Sequence, residues 1–340
     1  MKIAVLGVGA VGGVIGGYLA QAGRDVTLID MWPANIDSIK TNGLTVTPQE
    51  KEFTAHAKAL HIGEVSAARE TFDIVFLSVK SYDTEWASKF IQPHLSPSGY
   101  IVSAQNGIND TIIAETAGWT RTVGCVVILG AGMYDPGHVL RTSDANAPSF
   151  KVGELTGLAS QRAERLRLIL NDVGPTKLTT NLWGERWAKL ATNSMANALA
   201  GITGLKSAEI RHERRTRELA IRVAAELVDV AQAIGVTVEP IGGIESDVYK
   251  KALSNDSTMK KLSEHMIEAS KALNEGRPSL AQDVLKGRKT EVEFLNGLVV
   301  QHGLEQDMPT PVNKAVLDLT KRVESGELQP SLSNLDEIGY

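Results

Sequence analysis

The chain has 340 residues, of which 43% are hydrophobic and 22% are charged. This length fits two ordinary domains, and the balance of apolar and charged residues is that of a globular protein. The formal net charge of −5 argues against a nucleic-acid partner, because such proteins usually present a basic face. Cys125 is the only cysteine, which excludes an intrachain disulfide and favours a buried structural thiol.

No segment of the sequence is expected to cross a membrane. The longest apolar run, residues 125–133, is far shorter than the roughly 20 residues that span a bilayer. The apolar run at the N-terminus is interrupted by glycine too early for a secretory signal. We therefore expect a cytoplasmic protein with no membrane partner.

The first half of the chain alternates short apolar runs with helical patterns. The runs are rich in β-branched residues and apolar on both faces, which is typical of buried parallel strands. Strands are predicted at residues 3–6, 26–29, 74–79, 100–104, 125–129, 137–141 and 150–152, and helices at 12–22, 82–91 and 160–171. A glycine-rich stretch at 130–132 and a turn at 135–137 lie among the later strands. This alternation predicts a doubly wound α/β sheet of the Rossmann type.

The pattern changes near residue 182, where strand signals nearly vanish and long amphipathic patterns begin. Helices are predicted at residues 183–199, 213–234, 245–252, 258–273, 280–302 and 312–325, with a loop marked by prolines at 309 and 311. The mixed-charge cluster at 211–215 is expected to be a solvated helix start. The sequence therefore predicts an NAD(P)-binding Rossmann domain over 1–180 and an all-α domain over 181–340 that carries substrate and catalytic residues.

A G-x-G-x-x-G motif follows the first predicted strand directly. Gly7 permits a tight turn, Gly9 lets the backbone approach a pyrophosphate, and Gly12 lets the following helix pack on the strand. The first amides of that helix, which include Ala10 and Val11, would face the phosphates. A glycine-rich turn without a ligand is the alternative, but the strand–motif–helix context favours a dinucleotide site.

The second strand ends in Asp30, which bears on the type of cofactor. A carboxylate at this position accepts both ribose hydroxyls of NAD and repels the 2′-phosphate of NADP. The following residues are Met31, Trp32 and Pro33, with no arginine. NAD(H) is therefore favoured, with NADP(H) and an ordinary turn carboxylate as the alternatives.

Several further motifs, taken together and in order, resemble those of the ketopantoate reductase (2-dehydropantoate 2-reductase) family over nearly the whole chain. They are Ser-Val-Lys at 78–80, Gln-Asn-Gly at 105–107, Trp-Ala-Lys-Leu-Ala-Thr-Asn at 187–193 with Asn197, Ser-Leu-Ala-Gln-Asp at 279–283, Thr-Glu-Val-Glu at 290–293 and Asn-Gly at 296–297. The resemblance implies a C-terminal domain like that of 6-phosphogluconate dehydrogenase. It also implies an active site in the cleft between the domains.

The resemblance also implies a role for each matching residue. Lys189 would be the catalytic proton donor to the C2 oxygen of the substrate, and Glu291 would contact substrate and cofactor near the reacting centre. Asn193, Asn197 and Ser279 would hold the substrate. Lys80 and Asn106 would lie on the cofactor side, close to the nicotinamide.

The residues themselves agree with these roles. Lys189, Asn193 and Asn197 follow a spacing of four, which puts them on one helix face. A lysine in a partly desolvated cleft has a lowered pKa and can donate a proton as hydride reaches the carbonyl carbon. On a single predicted helix, Ser279 and Glu291 would face the same cleft. The alternatives are a surface Lys189, an exposed Glu291 and a Ser279 that caps its helix after Pro278.

Three features differ from the family pattern. Most of the family resembles NADPH enzymes with a basic residue after the second strand, where this chain has Asp30-Met31-Trp32. The stretch 235–279 is longer than usual, with extra charged and helical residues at about 243–274 that could reshape the substrate pocket. The segment before Ser279 lacks a Ser-Ser-Met pattern and contains Arg277, either a cation for a substrate carboxylate or a solvent-facing residue.

These observations leave three functions open. The first is reduction of a 2-oxo acid, with ketopantoate as the family default. The second is an NAD-dependent catabolic or D-specific 2-hydroxyacid dehydrogenase on the same scaffold, and the third is a nucleotide-sensing protein without catalysis. No histidine has metal-ligand spacing, so no metal is predicted. A homodimer is possible, and the identity of the acid stays open.

Overall fold

In the computed structural model, which describes residues 1–271 and 276–339, the chain divides into two compact units, Met1–Leu182 and Trp183–Tyr340. The boundary predicted from the sequence, between residues 180 and 181, differs from this division by two residues. No helix among the described residues is long and apolar enough to cross a lipid bilayer.

The first unit is the α/β part of the chain. Its strands are β1 (Lys2–Leu6), β2 (Asp25–Asp30), β3 (Leu44–Thr47), β4 (Phe53–Ala55), β5 (Lys58–His61), β6 (Phe72–Leu77), β7 (Leu95–Ser103), β8 (Thr122–Val127), β9 (Ala131–Asp135), β10 (His138–Arg141), β11 (Phe150–Glu154) and β12 (Thr176–Leu178). Its α-helices are α1 (Ala10–Gln21), α2 (Pro33–Asn42), α3 (Val65–Ala68), α4 (Thr84–Ile91), α5 (Asp110–Ala117) and α6 (Gln161–Leu170). Short 3₁₀ helices cover Ile62–Glu64, Ser81–Asp83, Gln92–His94 and Trp119–Arg121.

The main sheet has eight strands in the order β12-β11-β8-β7-β6-β1-β2-β5. All pairs from β5 to β8 are parallel, whereas β11 runs antiparallel to β8. The chain moves outward from β1 through β2 to β5 and then returns to β6 on the other side of β1. This reversal is the topological switch point of a doubly wound sheet, so the predicted Rossmann-type fold is confirmed.

Burial explains why β1 reads as a continuous apolar run. Ile3 and Val5 pack into the core on one face of the sheet, and Ala4 and Leu6 pack into the core on the other. Successive side chains of a strand point to opposite faces, so a strand covered on both sides must be apolar throughout.

A second, four-stranded sheet in the order β4-β3-β10-β9 was not predicted. It packs on α1, whose glycines leave room for it: a Cβ on Gly13 would lie 2.5 Å from Val139, and one on Gly17 would lie 2.5 Å from Val46. β9 (Ala131–Asp135) includes residues 131 and 132 of the glycine-rich stretch at 130–132, which was not predicted to be a strand. Of its strands, β10 corresponds to the strand predicted at 137–141. The other three have only three to five residues each, which is too short for a clear periodic signal.

The second unit is helical, as predicted. Its α-helices are α7 (Leu182–Thr203), α8 (Ser207–His212), α9 (Arg214–Ala233), α10 (Ser246–Ala252), α11 (Asp256–Ser270), α12 (Ser279–Leu285), α13 (Asn296–Glu305) and α14 (Pro311–Glu324), with 3₁₀ helices at Val292–Phe294 and Leu332–Glu337. The mixed-charge cluster at 211–215 does contain a helix start, because the Glu213 carboxylate accepts the Arg215 N–H at 3.1 Å and caps α9. The predicted helix 258–273 ends in residues that lie outside the described ones.

The single helix predicted over 280–302 is wrong. α12 ends at Leu285, and Gly287 adopts a left-handed φ of +60°. The Gly287 N–H donates to Val284 O at 3.1 Å and the Arg288 N–H donates to Asp283 O at 2.9 Å, which is the Schellman pattern that ends a helix. The glycine was visible in the sequence, but the apolar periodicity on either side outweighed it.

Candidate active site

The glycine-rich loop of the first unit is shaped by close backbone approach. Gly7 has a φ of +94°, and a Cβ there would lie 2.7 Å from the Val79 nitrogen. A Cβ on Gly12 would lie 2.0 Å from the Gly7 carbonyl oxygen. A Cβ on Gly9, in contrast, would have no heavy atom within 4 Å. Packing therefore requires Gly7 and Gly12 to be glycines, whereas Gly9 faces open space.

The N-terminus of α1 lies at this open space. Gly9 is its N-cap residue and offers no side chain to bond the first amides. The amides of Ala10, Val11 and Gly12 belong to the first turn, where an α-helix has no internal acceptor for its N–H groups. The first turn contains no acidic residue. This arrangement could hold a pyrophosphate in the space that a side chain at residue 9 would occupy.

Asp30 has a structural task as well as a candidate cofactor role. Its side chain is buried, with one carboxylate oxygen accepting the Val8 N–H at 2.7 Å and the other accepting the Trp32 N–H at 2.9 Å. Asn35 completes this corner by donating to the Val8 carbonyl at 3.0 Å. The carboxylate thus ties the glycine-rich loop to the loop after β2, a function that the sequence did not reveal.

The segments that carry Lys80 and Asn106 follow the neighbouring strands β6 and β7 and are bonded to each other. The Ser81 hydroxyl donates to the Asn106 carbonyl at 3.1 Å, and the Gln105 amide donates to the Val79 carbonyl at 2.9 Å. Asn109 donates to both Ser81 Oγ and the Asn106 carbonyl, at 3.1 and 2.8 Å. Ser81 and Asn109 position these loops and were missed, although Asn109 follows the Gln-Asn-Gly motif by two residues.

In the second unit, α7 presents Lys189, Asn193 and Asn197 on one face. Asn193 and Asn197 are buried, and Lys189 is half-buried. Desolvation holds the pKa of the Lys189 ammonium below its ordinary 10.5. Lys189 therefore gives up its proton more readily than a surface lysine does.

Ser279 lies against this face. The Asn197 amide is 3.5 Å from Ser279 Oγ, and Gly201, one turn further along α7, faces Leu280 so closely that a Cβ would lie 2.6 Å from it. Ser279 is the first residue of α12 and makes no capping bond, since Pro278 occupies the N-cap position. The alternative that Ser279 serves as a cap is therefore wrong.

Glu291 is buried, not exposed, but it does not lie on a helix with Ser279. It directly precedes the 3₁₀ turn, in which the Phe294 N–H donates to the Glu291 carbonyl at 2.9 Å. The preceding Thr290 is held by Glu324, which accepts its N–H at 2.7 Å and its hydroxyl at 2.5 Å. The position of Glu291 therefore depends on this turn and on the hydrogen bonds between Thr290 and Glu324. The helix face that the sequence predicted Glu291 to share with Ser279 does not exist.

Arg277 is engaged within its own unit. Its guanidinium donates to the Gly204 carbonyl. This bond orients the segment that leads into Ser279.

Two family models match the chain, one for each unit. "Ketopantoate reductase PanE/ApbA" matches residues 3–157, and "Ketopantoate reductase PanE/ApbA C terminal" matches residues 181–324. A 2-dehydropantoate 2-reductase of Archaeoglobus fulgidus is 30% identical over 96% of this chain and 98% of its own length. The chain belongs to the ketopantoate reductase family.

Further known proteins are similar to the chain in sequence or in fold. A 2-dehydropantoate 2-reductase of Pyrococcus horikoshii is 28% identical over 96% of this chain and 98% of its own. A crystal structure of a PanE/ApbA family ketopantoate reductase from Ralstonia eutropha JMP134 covers 96% of this chain and 99% of its own, with 27% identity and a TM-score of 0.79. A ternary structure of D-mandelate dehydrogenase with NADH and anilino(oxo)acetate has a TM-score of 0.81 at 21% identity over 96% of this chain and 99% of its own, which shows a shared fold. The chain is an oxidoreductase of the ketopantoate reductase family that uses a nicotinamide cofactor.

Proposed function

We propose that this ketopantoate reductase family member transfers a hydride between NAD(H) and a small 2-oxo or 2-hydroxy acid, with ketopantoate as the first substrate to test. One observation carries the proposal: a desolvated Lys189 shares a helix face with two buried asparagines. A lysine whose pKa is lowered by burial suits proton transfer. The relatives named 2-dehydropantoate 2-reductase support ketopantoate as the substrate.

The first unit would hold the cofactor. Gly7, Gly9 and Gly12 shape the loop, and the first amides of α1 would bind the pyrophosphate. Lys80 and Asn106 would lie on the nicotinamide side, at the carboxyl ends of parallel strands, where doubly wound sheets bind ligands. When bound, the nicotinamide supplies or accepts the hydride at the substrate carbon.

The second unit would hold and protonate the substrate. In reduction, Lys189 Nζ donates a proton to the C2 oxygen as the carbonyl becomes a hydroxyl, and its positive charge stabilises the negative charge that develops there. Asn193, Asn197 and Ser279 would donate hydrogen bonds to the substrate without adding charge. Glu291 would contact the substrate and cofactor near the reacting centre. The pair formed by Asn197 and Ser279 supports a common surface on α7 and α12.

We propose NAD(H) as the preferred cofactor. Asp30 ends β2 with a buried carboxylate, and residues 31–36 contain no lysine or arginine to meet a 2′-phosphate. Asp30 Oδ2 accepts the Val8 N–H and, at 3.5 Å, the Asn35 amide, whereas Oδ1 accepts the Trp32 N–H and retains acceptor capacity for a ribose hydroxyl. The same feature favours the second candidate function, an NAD-dependent 2-hydroxyacid dehydrogenase that works toward oxidation.

The test is a steady-state assay of the purified chain with ketopantoate, with NADH and NADPH in parallel. Rapid turnover with NADH supports both parts of the proposal, and turnover with NADPH alone overturns the cofactor preference. If ketopantoate is not reduced, a panel of 2-oxo acids, and of 2-hydroxy acids with NAD⁺, distinguishes the dehydrogenase. Turnover that survives Lys189→Met contradicts the assigned proton donor.

A further inference from the structure

The turn at residues 135–137, which the sequence indicates and the proposed reaction does not use, packs against α2 within the first unit. Gly137 has a φ of +73°, and a Cβ there would lie 2.4 Å from Ser38 Oγ. The Ser38 hydroxyl donates to the Pro136 carbonyl at 3.2 Å, and the Thr45 N–H of β3 donates to the Gly137 carbonyl at 2.9 Å. The second sheet therefore holds this turn in a fixed position beside the helix that follows β2.

Asn35 joins this turn to the corner formed by the glycine-rich loop and the end of β2. Its side chain is fully buried at the first turn of α2. Its Oδ1 accepts the Gly137 N–H at 2.8 Å, while its Nδ2 donates to the Val8 carbonyl at 3.0 Å and to Asp30 Oδ2 at 3.5 Å. One buried amide thus bonds the second sheet, the glycine-rich loop and the carboxylate assigned to the ribose.

These partners leave the Asn35 amide a single orientation. A backbone N–H can only donate, so the amide atom that faces the Gly137 nitrogen must be the oxygen. A backbone carbonyl can only accept, so the atom that faces the Val8 oxygen must be the nitrogen. The amide N–H groups are therefore fixed on the side of Val8 and Asp30 before any cofactor binds.

The Asp30 carboxylate receives its donors unevenly. Oδ2 accepts the Val8 N–H at 2.7 Å and also faces the Asn35 amide, whereas Oδ1 accepts the Trp32 N–H at 2.9 Å. The two donors at Oδ2 oppose rotation of the carboxylate about its Cβ–Cγ bond, and Oδ1 stays on the side of the loop after β2. A supporting hydrogen bond of this kind fixes a binding group in its productive orientation in advance.

We propose that Asn35 is a positioning residue for cofactor selection: it holds Asp30 with Oδ1 directed to the adenosine ribose and so strengthens the preference for NAD(H) over NADP(H). This inference rests on the proposed preference for NAD(H). Both cofactors share the pyrophosphate, but only NAD(H) offers the ribose 2′-hydroxyl that Asp30 accepts. Loss of the restraint weakens NADH binding and leaves NADPH binding almost unchanged, whereas general damage to the glycine-rich loop weakens both.

Fluorescence titration of the full chain with NADH and with NADPH tests the proposal for wild type, the similarly sized Asn35→Leu and the smaller Asn35→Ala. In both variants we expect the dissociation constant of NADH to rise at least about fivefold, the equivalent of one hydrogen bond, and that of NADPH to change by less than about twofold. Asp30→Ala should lose the same preference. In the Asp30→Ala background, Asn35→Leu should not change the ratio of the two dissociation constants further, because Asn35 acts through Asp30.

Ser38→Ala is the matched control, since it removes a bond from the same helix to the same turn without altering a partner of Asp30. It should leave both dissociation constants within about twofold of wild type, and a loss of NADH preference equal to that of Asn35→Leu overturns the inference.

The outcomes for wild type and for Asn35→Leu separate this inference from the proposed function. A wild type that binds NADPH as tightly as NADH overturns the cofactor preference and this inference together. If wild type prefers NADH and Asn35→Leu keeps that preference, or loses affinity for both cofactors alike, this inference alone is overturned. Should Asn35→Leu not fold, Asn35→Ala decides by the same criteria.

Discussion

Gly9→Ala separates the folding role of the glycine-rich loop from its binding role. The backbone of Gly9 has a negative φ of −81°, outside the left-handed region that favours glycine, and the new methyl group has no heavy atom within 4 Å. Alanine is a poorer N-cap than glycine, which lowers stability. It also reduces the conformational entropy of the unfolded chain, which raises the free energy of unfolding by about 0.4–1 kcal/mol. We expect the free energy of unfolding to change by less than about 1 kcal/mol. The methyl would occupy the space assigned to the pyrophosphate, so the dissociation constant of NADH should rise at least about tenfold, or ~1.4 kcal/mol.

The measurements are thermal unfolding by calorimetry and NADH titration by fluorescence on the same samples. Gly12→Ala is the contrasting variant, because its Cβ would lie 2.0 Å from the Gly7 oxygen and should destabilise the fold by about 1–3 kcal/mol or more. Gly63→Ala, whose Cβ would meet only His61 at 3.5 Å, is the neutral control. NADH binding by Gly9→Ala that equals wild type would refute the assigned phosphate site.

Four further predictions concern the cofactor, the proton, the buried acid and the helix framework. Met31 is 55% exposed beside Asp30, so Met31→Arg should raise the NADPH/NADH ratio of kcat/KM roughly tenfold (~1.4 kcal/mol), whereas Met31→Gln should not. Because burial lowers the pKa of Lys189, kcat/KM for reduction should fall as pH rises through the lowered pKa, below 10.5. Between the lowered pKa and 10.5 the unfolded chain binds the proton more tightly, so the free energy of unfolding should increase with pH in wild type but not in Lys189→Met. Glu291→Gln should lower kcat/KM at least about tenfold (~1.4 kcal/mol), and an effect within about twofold would contradict its role. Glu226 accepts the N–H groups of residues 312 and 313 at the start of α14, so Glu226→Ala should cost about 1–3 kcal/mol in denaturant unfolding.

The pH dependence at Glu226 provides a second check. Desolvation raises the pKa of this carboxyl above 4.5, so the folded state binds the proton more tightly than the unfolded chain does. Its contribution to stability is therefore fully present below pH 4.5 and is lost as pH rises through the raised pKa. The difference in unfolding free energy between wild type and Glu226→Gln should follow this direction, and the opposite slope would contradict it.

The parts of the fold that the sequence predicted are those with strong periodic or local signals. β1 is apolar on both faces because two cores cover it, and the glycine motif fixes the turn into α1 by backbone geometry alone. Only one strand of the second sheet, at 137–141, was predicted. The sheet itself was not, because its strands are short and it packs on the glycine surface of α1, a tertiary contact that periodicity does not encode. The break after α12 was signalled by Gly287, but continuing apolar spacing concealed it.

The candidate site was predictable only in part, because local spacing is visible in the sequence and tertiary contacts are not. The spacing of Lys189, Asn193 and Asn197 fixes their common face once α7 forms. The bond of Asp30 to Val8, by contrast, joins residues whose proximity arises only when β1 and β2 pair. The burial of Glu291 likewise depends on a turn and on Glu324 of a distant helix, which no local pattern reveals.

The most direct test of the central claim is the pH-dependent reduction of ketopantoate by NADH, measured for wild type and Lys189→Met in parallel with NADH binding. The account predicts turnover by wild type and its loss by at least about a hundredfold in Lys189→Met, with NADH still bound. Turnover that persists in Lys189→Met within about twofold would contradict the assignment of Lys189 as the proton donor.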